Sequence, residues 1–353
     1  MIAVEIGAGG RALIGANLVD HACELIEKTF GPRCAIISDS NVAPLLADRL
    51  KQTLTSAGFQ PTLIAIPPGE ASKTLEQAGA ICDEMIAARL DRQSFVIGLG
   101  GGVIGDISGF VAAIFHRGIP HVQIPTTLLA MVDSSIGGKT GVNRRDGKNL
   151  IGAIHHPALV IDDVDLLKTL PPREFNQGFA EIIKHAIIAD EEMFAELEPS
   201  TARDAVVLQR LIKRNIEIKR KIVANDETDR TGRRAVLNFG HTVGHAIERA
   251  GNYRTFLHGE AISIGMAAAC TISMKKFDLP RDQRDAIVDL LKLFQLPTEL
   301  PKDFPRAKVL EALPFDKKFS NGEVRFVVTS KIGSARVSND VTLSDIHEAI
   351  DQL

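Results

Sequence analysis

The run Asn238-Phe239-Gly240-His241-Thr242-Val243-Gly244-His245 places two imidazoles one helical turn apart, and Leu257-His258-Gly259-Glu260 adds a third shortly afterwards. A single histidine is most often an ordinary core or surface residue. Three this close point to a metal, because imidazole nitrogen and carboxylate oxygen are the donors of a catalytic zinc that leaves one position open for substrate. The metalloprotease pattern needs a Glu directly after its first His, and Thr242 stands there, so peptide hydrolysis is disfavoured. Upstream, Gly178-Phe179-Ala180-Glu181-Ile182-Ile183-Lys184-His185 reads as a helix with Glu181, Lys184 and His185 on one face. Glu181 is a carboxylate ligand candidate. Taken without the histidines, an ion pair to Lys184 or His185 would be the better reading of that face.

A second chemical signal lies at Gly100, Gly102 and Gly105, which satisfy G-x-G-x-x-G between a short apolar strand and a helical stretch from about residue 107. Missing side chains let backbone amides approach a pyrophosphate at the positive end of the next helix. Nothing acidic lies between Asp106 and Asp133, so the ribose acid usual about 20 residues further on is absent. Polar groups also sit beside glycine at residues 125–141 and 147–152, where Lys139 and Lys148 suit a phosphate or carboxylate. Ordinary surface loops look much like both segments, and a purely structural role reads as well for either one alone.

These groups need elements to hold them. Residues 35–38, 62–66, 95–99, 121–124 and 159–161 are short β-rich runs alternating with helical stretches, which predicts a largely parallel, Rossmann-like α/β sheet over residues 1–170. From Pro171-Pro172 the periods lengthen to helices near 203–223, 242–250, 260–277 and 281–293, then a hairpin of 323–329 with 335–338 and a last helix. A mainly α-helical domain over 171–353 is expected. A membrane span at 96–115 is rejected: five glycines crowd half of it, and Asp106 would cost about 3 kcal/mol near mid-bilayer.

Composition fits an enzyme of two domains: 353 residues, 45% hydrophobic, 24% charged, pI ≈ 6.4 and net charge −3. Cys23, Cys34, Cys82 and Cys270 show no C-x-x-C spacing, which disfavours disulfides and thiolate zinc and suits a reducing cytoplasm. The N-terminus reads as a first strand and not a signal. The basic run 213–221 reads as a solvated helix face, since one Tyr and no Trp leave little to stack on bases; no nucleic-acid or membrane partner is expected.

Together these segments resemble the 3-dehydroquinate synthases. The resemblance runs from Ser38-Asp39-Ser40-Asn41 and Pro68-Gly69-Glu70-Ala71-Ser72-Lys73 through the glycine loop, Pro125-Thr126-Thr127, Gly137-Gly138-Lys139-Thr140 and Gly147-Lys148-Asn149, to Glu181-Ile182-Ile183-Lys184, the histidine segments and Asp316-Lys317-Lys318. It implies a homodimeric enzyme of the shikimate pathway that uses NAD and a divalent metal, zinc or cobalt, on 3-deoxy-D-arabino-heptulosonate 7-phosphate. C5 is oxidised, phosphate leaves by β-elimination and takes the C6 proton itself, and reduction and aldol closure give 3-dehydroquinate.

The same resemblance assigns the metal to Glu181, His241 and His258, where spacing alone would pair His241 with His245. Its substrate groups fall on Asp133, Lys139, Asn149, Lys184, Lys219, Arg234, Asn238, His245 and Lys317, with Arg117 entering from the other subunit. Its cofactor groups fall on Asp39, Asn41, Glu70, Lys73, Gly101, Gly102, Asp106, Thr126, Thr127, Lys139 and Lys148, Asp39 standing in for the missing ribose acid. A metal-dependent alcohol dehydrogenase or another sugar-phosphate cyclase is the alternative. Two departures stand out: His156 precedes Pro157 where the family more often has Gln, and the loop 226–233 is one residue longer, so that Lys221 is a second register for Lys219.

Overall fold

The computed structural model describes residues 1–26, 30–144, 147–224, 232–313, 319–320 and 323–353. The chain forms two compact units, one of Met1–Leu170 with Asp204–Ala224, the other of Pro171–Arg203 with Asn225–Leu353. The first unit starts with the hairpin β1 (Ile2–Gly7) and β2 (Gly10–Gly15), followed by α1 (Ala22–Leu25), β3 (Arg33–Asp39), α2 (Asp48–Ser56), β4 (Gln60–Ile66) and α3 (Leu75–Ala87). Next come β5 (Phe95–Gly100), α4 (Gly102–Ile114), β6 (His121–Pro125), β7 (Lys139–Arg144), β8 (Gly147–Ile154) and β9 (Leu159–Asp163). The seven-stranded sheet has the order β1-β2-β9-β6-β5-β3-β4, and only the β1–β2 pair is antiparallel.

Alternation along the buried strands gives each face its own core. Ile36, Phe95, Ile97 and Leu99 pack with Leu50 and Leu54 of α2, while Ala35, Ile37 and Val96 pack with Ile81 and Met85 of α3 and Ile107 and Val111 of α4. From β3 the chain steps outward to β4, then back past β3 to β5. That reversal opens a crevice at the carboxyl ends of β3 and β5, where ligands of open α/β sheets characteristically bind.

The stretch 96–115, weighed as a membrane span, is β5 and α4, and among the described residues no helix is long and apolar enough to cross a membrane. Of the two glycine-rich segments likened to loops, 147–152 lies within β8 and the last three residues of 125–141 open β7, and these two strands pair as an antiparallel hairpin. Their glycines hid it, because strand propensity counts side chains that pack and Gly141 and Gly152 have none.

After β9 the chain runs through α5 (Pro172–Ala189) and α6 (Glu191–Glu196), forms α7 (Ala205–Val223), and continues with α8 (His241–Ala250), α9 (His258–Lys276), α10 (Arg281–Leu293) and α11 (Arg306–Ala312). Short strands β10 (Phe319–Ser320) and β11 (Glu323–Val324) pair with each other, β12 (Phe326–Lys331) pairs with β13 (Ser334–Ser338), and α12 (Leu343–Asp351) ends the chain. The expected hairpin is thus shifted: it begins at Phe326 and not at 323. The expectation of one unbroken domain over 171–353 also needs correction. α7 packs against β1 and β2 of the first unit, because its apolar positions Leu208, Leu211, Ile212 and Ile216 form one helical stripe that needs a surface to cover.

The His155-His156 departure lies at the end of β8. His155 stacks on His121 with ring centroids 5.0 Å apart, and the His156 ring packs so closely on Gly138 that a Cβ there would come within 2.9 Å of it. His121 is fully buried, and burial, with His155 and His156 nearby, pushes its imidazole down to about 3. In the unfolded chain the ring takes up a proton below about pH 6.5. Between those values the unfolded state binds more protons, so stability is lost as pH falls, by about 1.4 kcal/mol per unit for this group. Urea unfolding at pH 7 and pH 5 tests this: the wild type should lose about 2 kcal/mol more than His121→Gln over that interval, and parallel losses would refute the assignment.

Candidate active site

In the second unit three ligand atoms converge from three helices. Glu181 lies in the middle of α5, His241 is the first residue of α8 and His258 the first of α9. Pro172 at the start of α5 suits a first turn whose amide is unpaired in any case. α9 starts on half a capping box: the Leu257 amide donates to Glu260 Oε2 at 2.8 Å, and Glu260 also takes a bidentate pair from Arg173 at 2.6 and 2.7 Å. The three helices approach through glycine. A Cβ on Gly259 would stand 2.1 Å from the Gln177 carbonyl oxygen, and one on Gly265 would stand 2.0 Å from that of Gly240. No other residue permits backbones this close.

One donor atom each from Glu181, His241 and His258 lies within 4.8 Å of the others. His241 Nε2 is 3.6 Å and His258 Nε2 3.9 Å from Glu181 Oε1. Ligands about 2.1 Å from a tetrahedral ion stand roughly 3.4 Å apart, so small side-chain movements would close this set on one. Glu181 is fully buried, and neither carboxylate oxygen makes a hydrogen bond among the described residues; the Lys184 ammonium touches it as an ion pair. A carboxylate so desolvated needs more positive charge than one lysine gives, which fits a divalent cation. His245, the partner that spacing would choose for His241, is exposed, its ring 5.3 Å from that of His241. It belongs to a second possible donor group with Glu248 and His258. Arg234 is buried and Asn238 half-buried in the turn before α8, whereas Lys317 lies outside the described residues.

In the first unit most residues of the expected cofactor set lie at the carboxyl ends of four adjacent parallel strands, with Asp106 inside α4 and Lys139 and Lys148 on the β7–β8 hairpin. Asp39 ends β3, Glu70 and Lys73 follow β4, Gly101 and Gly102 follow β5, and Thr126 and Thr127 follow β6. Gly101 caps α4 with no side-chain acceptor for the first helical amides, leaving those donors for a ligand. Asp39 Oδ1 accepts the amides of Asn41 at 2.9 Å and Val42 at 3.1 Å, which fixes the turn that carries it. Lys73, nearly buried, contacts Asp106 and donates to Asn149 Oδ1 at 2.6 Å. Burial raises the Asp106 carboxyl, against the pull of that lysine. Glu70 faces Lys148 at 3.7 Å and accepts from Asn143 at 2.7 Å.

Asn143 is a member that sequence reading missed. Its side-chain oxygen also accepts the Asn149 amide at 2.9 Å, and its own amide donates to the Lys73 carbonyl at 2.8 Å. One asparagine therefore ties β7 to both Glu70 and Asn149. It was legible only to a reader who already had the hairpin, since its neighbours come from segments 73 residues upstream and 6 downstream.

Asp133 receives the Lys219 ammonium at its carbonyl oxygen (2.6 Å) and at Oδ1 (2.8 Å). Lys219 is 6% exposed while Lys221 is exposed, so the structure brings the first of the two registers to Asp133. Lys139 and Asn149 are exposed on the β7–β8 hairpin, Asn149 with φ +53°. Arg117 joins none of these groups: it is exposed beyond α4 in a left-handed turn, φ +71°.

The family model described as 3-dehydroquinate synthase N-terminal matches residues 63–177, and the one described as 3-dehydroquinate synthase C-terminal matches 178–319. A 3-dehydroquinate synthase of Desulforamulus reducens is 43% identical over 357 residues, covering 99% of both chains. Among solved structures, 2-epi-5-epi-valiolone synthase from Streptomyces hygroscopicus subsp. jinggangensis 5008, with NAD+ and Zn2+ bound, superposes with a TM-score of 0.89 at 28% identity over 100% of this chain and 98% of that one. A 2-deoxy-scyllo-inosose synthase complexed with carbaglucose-6-phosphate, NAD+ and Co2+ reaches 0.91 at 24% identity over 99% of both chains, a likeness of fold. On family matches that span most of its length, and on a relative this similar from end to end, the chain belongs to the 3-dehydroquinate synthase family.

Proposed function

We propose that this chain converts 3-deoxy-D-arabino-heptulosonate 7-phosphate to 3-dehydroquinate and phosphate, as an NAD- and metal-dependent carbon–oxygen lyase of the shikimate pathway. The observation that carries the reading is the convergence of His241 and His258 on the buried Glu181 carboxylate, which makes no hydrogen bond among the described residues, in a chain similar throughout to named dehydroquinate synthases. When bound, the nicotinamide takes and returns a hydride, and zinc or cobalt polarises the oxygen at the carbon being oxidised.

The chain's own side chains bind and orient. The free amides of α4 receive the cofactor's pyrophosphate, Asp39 a ribose, and Glu70, Lys73, Asp106 and Lys148 hold the loops around them. Lys139, Lys184, Lys219, Arg234 and Lys317 supply positive charge for a substrate bearing both phosphate and carboxylate, which a chain of net charge −3 must concentrate locally. Asp133 fixes the Lys219 ammonium, while Asn149, Asn238 and His245 hydrogen-bond the sugar hydroxyls. The departing phosphate carries off the C6 proton on its own oxygen, so no side chain has to serve as that base. The enzyme is a cytoplasmic homodimer in this reading. All four cysteines are free, and burial pushes the Cys34 and Cys270 thiols up to about 12, unreactive at neutral pH.

Phosphate release on the heptulosonate phosphate with zinc and substoichiometric NAD tests the reaction. Release should run far past the NAD present without accumulation of NADH, because the hydride returns in each turnover. An alcohol dehydrogenase would accumulate NADH and free no phosphate, and another sugar-phosphate cyclase would turn over only a different sugar phosphate. Either result overturns the proposal.

Metal analysis tests the ligands. Glu181→Ala, His241→Ala and His258→Ala should each purify with little metal, since a site of three protein ligands cannot spare one; His245→Ala should keep a full complement. Stoichiometric metal in the His258 variant would refute this set.

Arg117 has its own test, because its place in an exposed turn suits a role across a two-fold axis. Mixing Arg117→Ala with His241→Ala should recover up to about a quarter of wild-type activity, since half the molecules are hybrids in which one of two sites has both intact halves. No recovery after demonstrated subunit exchange would count against this placement.

A further inference from the structure

Each ring nitrogen of His258 faces a different acid. Nε2 lies 3.9 Å from Glu181 Oε1, toward the three-ligand cluster, while Nδ1 lies 3.2 Å from Glu248 Oε2. Glu248 is 4% exposed and follows His241 by seven residues on α8, two turns along the same face. A carboxylate only accepts hydrogen bonds, so the proton of a neutral His258 is held on Nδ1, and the Nε2 lone pair is left for the cluster. His241 reaches the same state by another route, with Nδ1 3.2 Å from the Phe239 carbonyl oxygen.

The two histidines differ in exposure. The His241 side chain is 11% exposed and confined by its surroundings, whereas that of His258 is 32% exposed at the first position of α9. A ring turned over at that position would present the wrong nitrogen to the cluster. A charged acceptor makes the stronger hydrogen bond, and it also raises the basicity of the opposite nitrogen.

We propose that Glu248 is a positioning residue of the metal centre: it locks the His258 ring in the Nδ1–H tautomer and thereby sets metal affinity. This rests on the reading of Glu181, His241 and His258 as ligands. Glu248, His245 and His258 also lie close enough to bind an ion themselves. That arrangement would use His258 Nδ1 and the exposed His245, and it would leave the buried Glu181 carboxylate without its cation, so it is the weaker assignment.

The test uses the full-length, metal-free protein and its Glu248→Ala, Glu248→Gln and Glu181→Ala variants, with zinc affinity measured against a chromogenic chelator and the His258 tautomer read from ring 15N shifts. Glu248→Ala should bind zinc about 10–100-fold more weakly and lose the pure Nδ1–H signature. The Gln side chain still offers an oxygen to Nδ1–H but no charge, so it should keep the tautomer and lose only about 3–10-fold in affinity. Wild-type affinity and tautomer in Glu248→Ala, while Glu181→Ala loses zinc, would overturn the proposal alone. Unchanged zinc affinity in Glu181→Ala would overturn the ligand reading and the proposal with it. Should Glu248→Ala not fold, the nearly isosteric Gln variant decides: the tautomer kept with weakened affinity supports the proposal, and either measurement otherwise opposes it.

Discussion

A carboxylate removed from water must find positive charge, and in the second unit that constraint acts at Glu181. Its place in the middle of α5 denies it the helix N-terminal amides that could otherwise bond it, and on that helix the Lys184 ammonium, one turn on, supplies a single positive charge. The rest must come from other helices, which explains why His241 and His258 both open theirs. A first-turn side chain can reach back across the neighbouring helix while its backbone stays in register. Backbone contact at Gly259 and Gly265 is what brings those helix starts within reach, so a methyl group at either glycine would act on the site without touching a ligand.

The first unit solves a different problem with different means. Its proposed ligand is larger and carries its own negative charge, so the useful feature is a row of donors and not a buried acid. Four parallel strands ending side by side provide that row, and the reversal of strand order between β3 and β5 opens it to solvent. Charges there are paired in the protein itself: Lys73 with Asp106, Lys148 with Glu70, Lys219 with Asp133. Such pairs hold long side chains in one arrangement before a ligand arrives, which lowers the entropy that binding would otherwise lose.

Strongly periodic features were legible in the sequence for a plain reason. Central parallel strands are buried on both faces, so their apolar runs stand out, and long amphipathic helices such as α7 repeat their stripe several times. What the pattern could not say is which surface a stripe covers, and α7 joined the unit that its place in the chain did not suggest. The β7–β8 hairpin was hidden because glycines carry no alternation to read. Among the candidate site residues, those proposed from the sequence sit within recognisable local motifs, whereas the contacts of Asn143 with Glu70 and of Glu248 with His258 join segments that motif reading does not connect.

Spacing and structure also disagree instructively over the histidines. At i and i+4, His241 and His245 share one helical face, and nothing local distinguishes them as ligands. The difference comes from their environment. His241 faces the buried carboxylate from the helix start, where the Phe239 carbonyl can hold its other nitrogen, while His245, one turn later, has moved out to solvent. A metal ligand needs a nitrogen aimed inward and a second contact that keeps it so. By that criterion His241 and His258 are alike despite unrelated sequence contexts, and His245, better placed by counting residues, lacks the inward aim toward the Glu181 carboxylate that the other two share.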